Sequence, residues 1–366
     1  ETNNMLRWIK DMIYKMLFGF NIVAGFLLLG VYIAPFVPPS KIHWFAILAI
    51  GYPYLFFLNL LFAGWWLYKR KRYFYLSAII LIIGYQHFFN FIGLNFSASK
   101  LSPASICVMS YNVHYFNAIN LLKESDLRTA QKEILKTIKK QSIDIFCGQE
   151  FAGKTKNYTQ KSRAFLSDTM GLKYSFSGGG SSLTIFSKYP IKAKGNIDFE
   201  GSYNGAIYAD IQYKEQLIRV YCLHLQSIRL GMDESELFKS ENLASLGQDK
   251  TQKKYKRIGS KLKQAFLLRE EQANYIAKHI QKSPYPVLVC GDLNDTPSSY
   301  AYNQLSHGLK DSFKEKGTGF GSTYAGSLPF LRIDYAFTSP SWTIENFQVI
   351  PNTCSDHYPI YIHLRP

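Results

Sequence analysis

Residues 286–295 read Pro-Val-Leu-Val-Cys-Gly-Asp-Leu-Asn-Asp, and the interpretation of the whole chain starts from this stretch. The apolar run before Gly291 predicts a buried strand, and Gly291 allows a sharp turn where the side chains leave the core. Asp292 and Asn294 share one face if the extended conformation continues. Taken alone, the segment is more typical of an Asx-rich turn, so its meaning depends on polar residues elsewhere in the chain.

The apolar residues are unevenly distributed along the 366 positions. Most of the long apolar runs fall between residues 11 and 94, whereas residues 100–366 mix strand-like and helix-like patterns. We therefore expect a membrane region at 1–95, a Ser-rich linker at 96–105 and a soluble domain at 106–366. The formal net charge is +16 and both parts are basic. This favours phosphate-rich partners, either an anionic membrane surface or nucleic acid.

Three apolar segments predict about three transmembrane helices, at Met12–Ala34, Ile42–Tyr68 and Tyr73–Leu94. A cleaved signal peptide would explain the first segment but not three in succession. The third segment is interrupted by polar residues and could instead lie in the membrane interface. The N-terminal region is thus expected to anchor the chain in a lipid bilayer.

The loop Lys69-Arg70-Lys71-Arg72 predicts the orientation, because compact basic loops stay on the cytoplasmic side. Three crossings then place the catalytic domain on the extracytoplasmic side, at the cytoplasmic membrane if the source is bacterial. Two crossings would leave the domain in the cytoplasm. The oligomeric state is not predicted by any pattern in the sequence.

Several other site classes are excluded by residue spacing. The cysteines lack metal-ligand spacing and are odd in number, so they predict buried apolar side chains, with one bridge between neighbouring strands as the alternative. Residues 178–182 match neither a P-loop nor a nucleophile elbow, and residues 317–321 lack the context of a dinucleotide site. The five cysteines are Cys107, Cys147, Cys222, Cys290 and Cys354.

The region after residue 105 predicts a mixture of strands and amphipathic helices. Besides the run before Gly291, strands are expected at Ile106–Met109, Ile143–Cys147, Leu183–Ser187, Ala206–Gln212, Leu217–Leu225, Arg332–Phe337 and Tyr358–His363. Helices are expected at Asp126–Lys140 and Leu262–Ile280. The basic run Lys250–Lys263 predicts a solvated helix face, or alternatively a contact with phosphate or a membrane headgroup.

Polar residues stand at or beside the ends of these strands. Each alone has an ordinary structural explanation, such as a turn or a helix start, but their recurrence in one domain is improbable by chance. Carboxylate and amide oxygens without paired cysteines favour Mg²⁺ or Mn²⁺ over zinc. Such an ion, with a histidine held by an acid, suits hydrolysis of a phosphate ester. The candidate residues are Asn112, Glu150, His224, Asp292, Asn294, Asp334, Asp356 and His357.

The order of these motifs resembles the endonuclease/exonuclease/phosphatase superfamily, whose fold is like that of deoxyribonuclease I. The resemblance covers roughly residues 104–365, and each motif is weak when taken separately. It implies an α/β fold in which a two-sheet β-sandwich is flanked by helices. The motifs are Ser110-Tyr111-Asn112, Gly148-Gln149-Glu150, Ser187-Lys188-Tyr189-Pro190, His224-Leu225, Gly291-Asp292-Leu293-Asn294-Asp295-Thr296-Pro297, Arg332-Ile333-Asp334-Tyr335 and Ser355-Asp356-His357.

The resemblance also implies roles for the matching residues. Glu150 would be the principal metal ligand, helped by Asn112, with Asp356 near the metal. His357, oriented by Asp334, would contact the scissile phosphate or act as acid or base. Asp292 would orient or activate the attacking water, and both Asn294 and His224 would bind phosphate oxygens. Whether Asp292 or His357 is the general base stays open.

One departure bears on the substrate. Abasic-site endonucleases typically have Tyr where His224 stands, so the chain is more similar to the deoxyribonuclease, sphingomyelinase and phosphoinositide-phosphatase branches. We therefore expect a membrane-anchored phosphodiesterase acting on a lipid headgroup or a similar ester. An extracytoplasmic nuclease is the enzymatic alternative, and nucleic acid is the less favoured substrate. From another class, the chain could be an inactive membrane scaffold or binding module.

Overall fold

The computed structural model describes residues 2–96, 101–116, 124–152, 156–179, 182–200, 202, 204–228, 248–326, 328–352 and 354–366. The chain forms two compact units, one of Glu1–Phe91 with Ser298–Tyr300 and the other of Ile92–Pro297 with Ala301–Pro366. The second unit begins before the expected linker, because Gly93–Leu94 pairs with Thr318–Gly319. Residues 97–100 of that linker, and Gly180 and Ser181, lie outside the described residues.

The first unit is helical. Its α-helices are α1 (Thr2–Ile33), α2 (His43–Ile50), α3 (Tyr52–Tyr68), α4 (Phe74–Ile83) and α5 (Tyr85–Phe91). One continuous helix, Asn4–Phe36, is long and apolar enough to cross a membrane by itself. The described residues contain up to three candidate membrane spans if each pair of helices joined at a bend counts as one span. The axes of α2 and α3 meet at 68°, and those of α4 and α5 at 65°.

The predicted second and third segments are therefore each broken rather than continuous. The breaks fall at Gly51 and Gly84. At Gly84 a side chain has no room, because a Cβ there would stand 2.0 Å from the ring of Tyr32. The third segment ends at Phe91 instead of Leu94, since the chain then enters a strand. Apolar composition predicted the segments but carries no information on a bend.

A buried hydrogen-bonded network joins α1, α3 and α4. Asn21 Nδ2 donates to Ser77 Oγ (2.6 Å), and the Ser77 hydroxyl donates to Asn59 Oδ1 (3.2 Å). The indole N–H of Trp66 donates to Asn21 Oδ1 (3.0 Å), and Asn59 Nδ2 donates to the carbonyl of Ala24 (3.1 Å). Buried polar groups are costly unless they are bonded, so these contacts fix how the helices pack.

The second unit is mixed α and β. Its strands, numbered along the chain, are β1 (Gly93–Leu94), β2 (Ile106–Asn112), β3 (Ile145–Gln149), β4 (Tyr174–Gly178), β5 (Leu183–Ser187), β6 (Ile191–Ile197), β7 (Gly205–Tyr213), β8 (Gln216–His224), β9 (Val287–Asp292), β10 (Lys310–Asp311), β11 (Thr318–Gly319), β12 (Asp334–Thr338), β13 (Thr343–Val349) and β14 (Ile360–Arg365). Its α-helices are α6 (Glu124–Lys139), α7 (Lys156–Ala164), α8 (Gln248–Gln281), α9 (Tyr300–Ser306) and α10 (Ser312–Lys316).

Two six-stranded sheets form a sandwich within the described residues. The strand order is β10-β12-β9-β8-β7-β6 in the first sheet and β13-β14-β2-β3-β5-β4 in the second. The pairs β8/β9 and β2/β3 are parallel, and the remaining pairs are antiparallel. Helices α8 and α9 cover the outer face of the first sheet, and α6 covers that of the second. The expected two-sheet sandwich flanked by helices is confirmed.

Alternation along the strands explains how each sheet packs on both faces. In β2, Ile106 and Val108 belong to the core between the sheets, whereas Met109 and Tyr111 pack under α6. In β9, Leu288 faces the same central core, and its neighbours face α8 and α9. Successive side chains of a strand point to opposite faces, so a strand covered on both sides is apolar throughout.

Several predicted boundaries are wrong for identifiable reasons. The basic run at 250–263 is part of α8, which begins at Gln248, because Lys, Arg and Gln are good helix formers. Strands β4, β6 and β13 were not predicted, since exposed polar positions interrupt their apolar pattern. Strand β12 begins at Asp334 rather than at Arg332. All five cysteines are free thiols, so the alternative of an inter-strand bridge is wrong.

We expect Gly291→Ala to destabilise the second unit strongly. Gly291 has φ +144°, and a Cβ there would lie 2.1 Å from the carbonyl oxygen of Leu223 on the adjacent strand β8. The clash costs roughly 2–3 kcal/mol, or about 5–10 °C in the melting temperature of a unit of this size. Gly259→Ala is the control, because that helical position has open space and alanine favours helix. Equal melting temperatures for the two variants would contradict the argument.

Candidate functional site

Strand register places three of the predicted residues side by side at one edge of the first sheet. His224 is paired with Asp292 across the parallel strands β8 and β9. Asp334 is paired with the same Asp292 across β12 and β9, which are antiparallel. Two strands therefore end, and one begins, at the same level.

The second sheet delivers its polar residues to the same place. Asn112 is the last residue of β2, and Glu150 follows the last residue of β3, Gln149, with which Asn112 is in register. The loop before β14 is held to β2 because the hydroxyl of Ser355 donates to the carbonyl oxygen of Asn112 (2.8 Å). This contact positions the two residues that follow it, Asp356 and His357.

Asp292 is the centre of the site. Its carboxylate is fully buried. It accepts hydrogen bonds from Asn112 Nδ2 (3.2 Å), the Asn294 backbone N–H (2.7 Å) and Asn294 Nδ2 (3.1 Å). The Nε2 atoms of His224 and His357 lie 3.5 and 3.6 Å from its Oδ2. Burial raises the pKa of Asp292 to about 6, although the positive charge of His357 acts to lower this pKa.

His357 and Asp334 form a hydrogen-bonded pair, with Nδ1 donating to Asp334 Oδ2 at 2.9 Å. The Nε2 atom of His357 is left to face the site. Burial alone would lower the pKa of His357, but the charges of Asp334 and Asp292 raise it well above the ordinary value. The ring of Tyr324 packs edge-on against the imidazole, with centroids 5.8 Å apart. His357 is therefore held as an oriented imidazolium that can donate a hydrogen bond.

Glu150 and Asp356 leave two buried oxygens without a hydrogen-bond partner among the described residues, Glu150 Oε2 and Asp356 Oδ1. Glu150 has φ +52°, a conformation that costs free energy in a non-glycine residue. Burial raises the pKa of its carboxyl, but the interaction with His114 and the charge of His224 outweigh it, so the pKa lies below the ordinary value. Glu150 is thus an anion whose Oε2 accepts no hydrogen bond among the described residues and lies 3.5 Å from the ring of His114.

All eight predicted site residues belong to this single set of contacts. Glu150 Oε1 lies 3.8 Å from His224 Nε2, and Asn294 Nδ2 also donates to the carbonyl oxygen of Leu225 (3.0 Å). Asp356 is joined to Glu150 through a histidine that lies between their carboxylates. The structure thus brings together Asn112, Glu150, His224, Asp292, Asn294, Asp334, Asp356 and His357.

Sequence reasoning missed that histidine, His114. Its Nδ1 lies 3.5 Å from Glu150 Oε2 and 3.3 Å from Asp356 Oδ1. The interaction with Glu150 raises the pKa of His114, although burial opposes it. The only signal in the sequence was its place two residues after Asn112, whose Oδ1 accepts the His114 backbone N–H (3.0 Å).

Asp295 is the second acidic residue of the stretch 286–295, and its carboxylate pairs with a residue outside the site. Its Oδ2 lies 3.0 Å from the guanidinium of Arg269, which is buried on α8. Arg269 also donates to the backbone carbonyl of Asn294. The second carboxylate of the stretch therefore anchors the loop to α8 and is not part of the polar cluster around Asp292.

A helix-flanked two-sheet sandwich with acids and histidines at one edge is the arrangement of the endonuclease/exonuclease/phosphatase superfamily, whose members are hydrolases that act on phosphoesters. The chain belongs to the endonuclease/exonuclease/phosphatase family, whose family model matches residues 109–357. A second family model, described as a domain of unknown function, matches residues 14–91. A comparison with curated proteins finds no match.

Solved structures of low sequence identity share the fold. An endonuclease/exonuclease/phosphatase family protein from Bacteroides thetaiotaomicron is 17% identical, with 72% of this chain and 98% of that chain covered and a TM-score of 0.50. One from Bacteroides vulgatus is 16% identical (71% and 98% covered, TM-score 0.50). TDP2 from D. rerio, complexed with a single strand DNA product, is 17% identical (72% and 100% covered, TM-score 0.50). These likenesses concern the fold alone.

Proposed function

We propose that the chain is a membrane-anchored, metal-dependent phosphoesterase that hydrolyses a phosphodiester. One observation carries this proposal: the buried Asp292 is surrounded by an oriented His357–Asp334 pair, two amides and a second histidine. Beside them, the carboxylates of Glu150 and Asp356 converge on the ring of His114, at 3.5 and 3.3 Å. An attacking water, a phosphoryl group and a cation each have matching partners in such a set.

A divalent cation fits Glu150 and Asp356. Glu150 Oε2 and Asp356 Oδ1 are buried without a hydrogen bond among the described residues, and only the longer contacts with His114 offset their charge. An all-oxygen donor set suits Mg²⁺ or Mn²⁺. When bound, such an ion supplies Lewis-acid polarisation of a phosphoryl oxygen. Asn112 would assist from β2, although its amide already joins Asp292 to the His114 backbone.

A second acidic group offers an alternative metal site. Asp292, Asp334 and His357 each present one ligand atom, and these atoms lie within 4.8 Å of one another. We assign the metal to Glu150 and Asp356 instead. The reason is that Asp334 and Asp292 already accept hydrogen bonds from His357 and the two asparagines. Glu150 Oε2 and Asp356 Oδ1 accept no hydrogen bond among the described residues and have only longer ion-pair contacts with His114, at 3.5 and 3.3 Å.

The remaining residues would position water and phosphate. The amides of Asn112 and Asn294 orient the Asp292 carboxylate. In this orientation the carboxylate accepts a proton from the attacking water. His357, protonated and oriented by Asp334, donates from Nε2 to a phosphoryl or leaving oxygen. His224 Nε2 donates to a further phosphate oxygen. This assignment makes Asp292 the base and His357 the donor.

The position of His114 predicts a charge effect on metal binding. We expect His114→Lys to weaken Mn²⁺ binding about tenfold relative to His114→Gln, because a fixed cation would lie beside the carboxylates of Glu150 and Asp356. The measurement is titration calorimetry with Mn²⁺ on the full chain. Equal affinities in the two variants would place the ion away from these carboxylates.

Membrane anchoring is supported by the surface of α1. Its exposed side chains include large apolar ones such as Phe20 (62% exposed) and Phe26 (70%), and such a face is stable only against an apolar partner such as lipid.

With three spans, the basic loop after α3 on the cytoplasmic side puts the catalytic unit outside. A reporter fused after Pro366 that folds only in the cytoplasm should stay inactive, and activity would refute this topology.

The substrate class is the finer part of the proposal. A tethered enzyme meets lipid phosphates at high local concentration, and α8 exposes Lys253 and Lys256, which favours an anionic surface. We therefore propose a lipid headgroup diester as the substrate, with nucleic acid as the second candidate because of the net positive charge.

The test incubates the full chain and Mg²⁺ with phospholipid vesicles or with plasmid DNA and identifies the products. Release of a headgroup supports the lipid substrate, and cleavage of DNA alone overturns it in favour of a nuclease. Hydrolysis of neither, nor of bis(p-nitrophenyl) phosphate under any divalent ion, would favour a scaffold or binding module. The control is Glu133→Gln, an exposed acid on α6.

A further inference from the structure

The helical unit contains an open cleft of about 600 Å³ at the end where α1 starts and α3 stops. Five cationic side chains and one carboxylate line it, and aromatic rings complete its walls. The lining residues are Arg7, Lys10, Asp11, Tyr14, Tyr68, Lys69, Arg70 and Lys71. Positive charge is therefore concentrated in a concave site formed by two separate segments of the chain.

The cations of the cleft are not neutralised within the protein. Among the described residues, none of the five lies in an ion pair with a carboxylate, and Asp11 is the only acid in the lining. Aromatic rings hold three of them instead. Lys10 and Lys71 lie over Tyr14, with Nζ 5.8 and 5.5 Å from the ring centroid. Lys69 lies 4.7 Å from the ring of Tyr68. Five cations gathered around a single carboxylate favour an anionic ligand.

The end of α3 is built to present these side chains. The Arg70 N–H donates to the carbonyl of Leu67, and the Lys71 N–H donates to that of Trp66, both at 2.9 Å. This is the pattern of a Schellman motif, in which glycine usually occupies the left-handed position. Here Arg70 occupies it with φ +51°, so the chain retains a cation at some cost in conformational free energy.

The helix dipole explains only half of the cluster. Positive side chains are favourable at the C-terminus of α3, which accounts for Lys69 and its neighbours. Arg7 and Lys10 lie on α1 far from its C-terminal end, so the dipole of α1 does not stabilise them. Their convergence with the loop cations therefore needs another stabilising partner.

The floor of the cleft is rigid. The ring of Tyr14 packs edge-on against Trp66, with centroids 6.0 Å apart, and Trp66 is fully buried. The Trp66 indole is fixed in turn by its hydrogen bond to Asn21. A ligand would thus meet a preformed site, which lowers the entropic cost of binding.

We propose that this cleft binds the phosphate group of an anionic phospholipid. The chemistry that it recognises is a phosphate oxygen, which Arg and Lys bind as charge-assisted donors. A lipid is favoured over a soluble phosphate ester because exposed aromatic residues adjoin the cationic ones along the chain, Trp8 at 65% and Trp65 at 42% exposure. Such residues sit at the headgroup level of bilayers, and basic pockets between membrane helices bind anionic headgroups.

The test measures lipid retention by the full chain. The detergent-solubilised protein is mixed with equal amounts of phosphatidylglycerol and phosphatidylcholine, and native mass spectrometry counts the bound lipids. We expect the wild-type chain to prefer phosphatidylglycerol. K10Q/K71Q should weaken the binding of this lipid about 30-fold, because each lost charge lowers the affinity roughly fivefold. The matched control K15Q/R72Q removes the same charge from the same two segments outside the cleft and should change retention less than threefold.

Three outcomes would overturn the proposal. Equal retention of the two lipids by the wild-type chain excludes an anionic-lipid site, and an equal loss in both double variants excludes this cleft. Displacement of the lipid by millimolar glycerol phosphate would identify a soluble ester as the occupant. Should K10Q/K71Q not fold, judged by its melting temperature, Arg7→Gln serves in its place with an expected loss of about fivefold.

Discussion

Glu150→Gln is expected to lower the turnover of bis(p-nitrophenyl) phosphate at saturating Mg²⁺ by about 10³-fold or more. The substitution keeps the shape of the side chain and removes the negative charge from a group whose buried Oε2 accepts no hydrogen bond among the described residues and contacts only His114 at ion-pair distance. Lewis-acid stabilisation by a bound divalent ion is worth several kcal/mol, and about 4 kcal/mol corresponds to this factor in rate. Mn²⁺ binding measured by calorimetry should weaken in parallel.

The control for this prediction is Glu133→Gln, which neutralises an exposed acid on α6 that pairs with Lys136. Its turnover should stay within twofold of the wild-type value. If Glu150→Gln kept turnover and Mn²⁺ affinity within threefold of wild type, the cation would not be held by this carboxylate. The acidic group around Asp292 would then be the better metal site.

His357→Gln is expected to lower turnover by roughly 10²–10⁴-fold, the range typical of a lost proton donor or acceptor. The glutamine amide can still bond to Asp334 but cannot carry a transferable proton. Because the ion-pair partners of His357 are Asp292 and Asp334, and not Glu150 or Asp356, Mn²⁺ affinity should change less than twofold. A rate loss without a binding loss separates the role of His357 from that of Glu150.

The leaving group decides between the two roles open to His357. If its Nε2–H protonates the leaving oxygen, His357→Gln should impair an alkyl phosphodiester far more than a p-nitrophenyl ester, since nitrophenolate leaves without a proton. If the imidazolium only holds a phosphate oxygen, both substrates should lose rate equally. His307→Gln, an exposed histidine of the same unit, is the control. Full activity in His357→Gln would remove the pair with Asp334 from the mechanism.

The candidate site could be predicted from sequence because its residues stand in short motifs at strand ends. The run before Gly291 predicted a strand, and the position of Asp292 followed from it. His114 was missed, since its relation to Glu150 and Asp356 arises where three loops meet. Asp295 was grouped with Asp292 by adjacency, and only the position of α8 shows that Arg269 occupies it.

The membrane segments show the same difference between what the sequence predicts and what only the structure shows. Apolar composition predicted where the helices lie but not that two of the three segments bend at Gly51 and Gly84. At Gly84 the ring of Tyr32, which is distant in the sequence, leaves no room for a side chain. Likewise the basic loop predicted an orientation, whereas the cleft exists only because Arg7 and Lys10 pack beside that loop.

By itself the sequence determined the class of fold, the family and the residue types of the site, because hydrophobic periodicity and short motifs are local properties of a chain. The tertiary structure decided which side chains share a hydrogen bond, which carboxylates meet at one histidine and which cations converge. Those facts depend on strand register and helix packing between residues as distant as Asn112 and Asp292. Such contacts form from surfaces that no single segment contains.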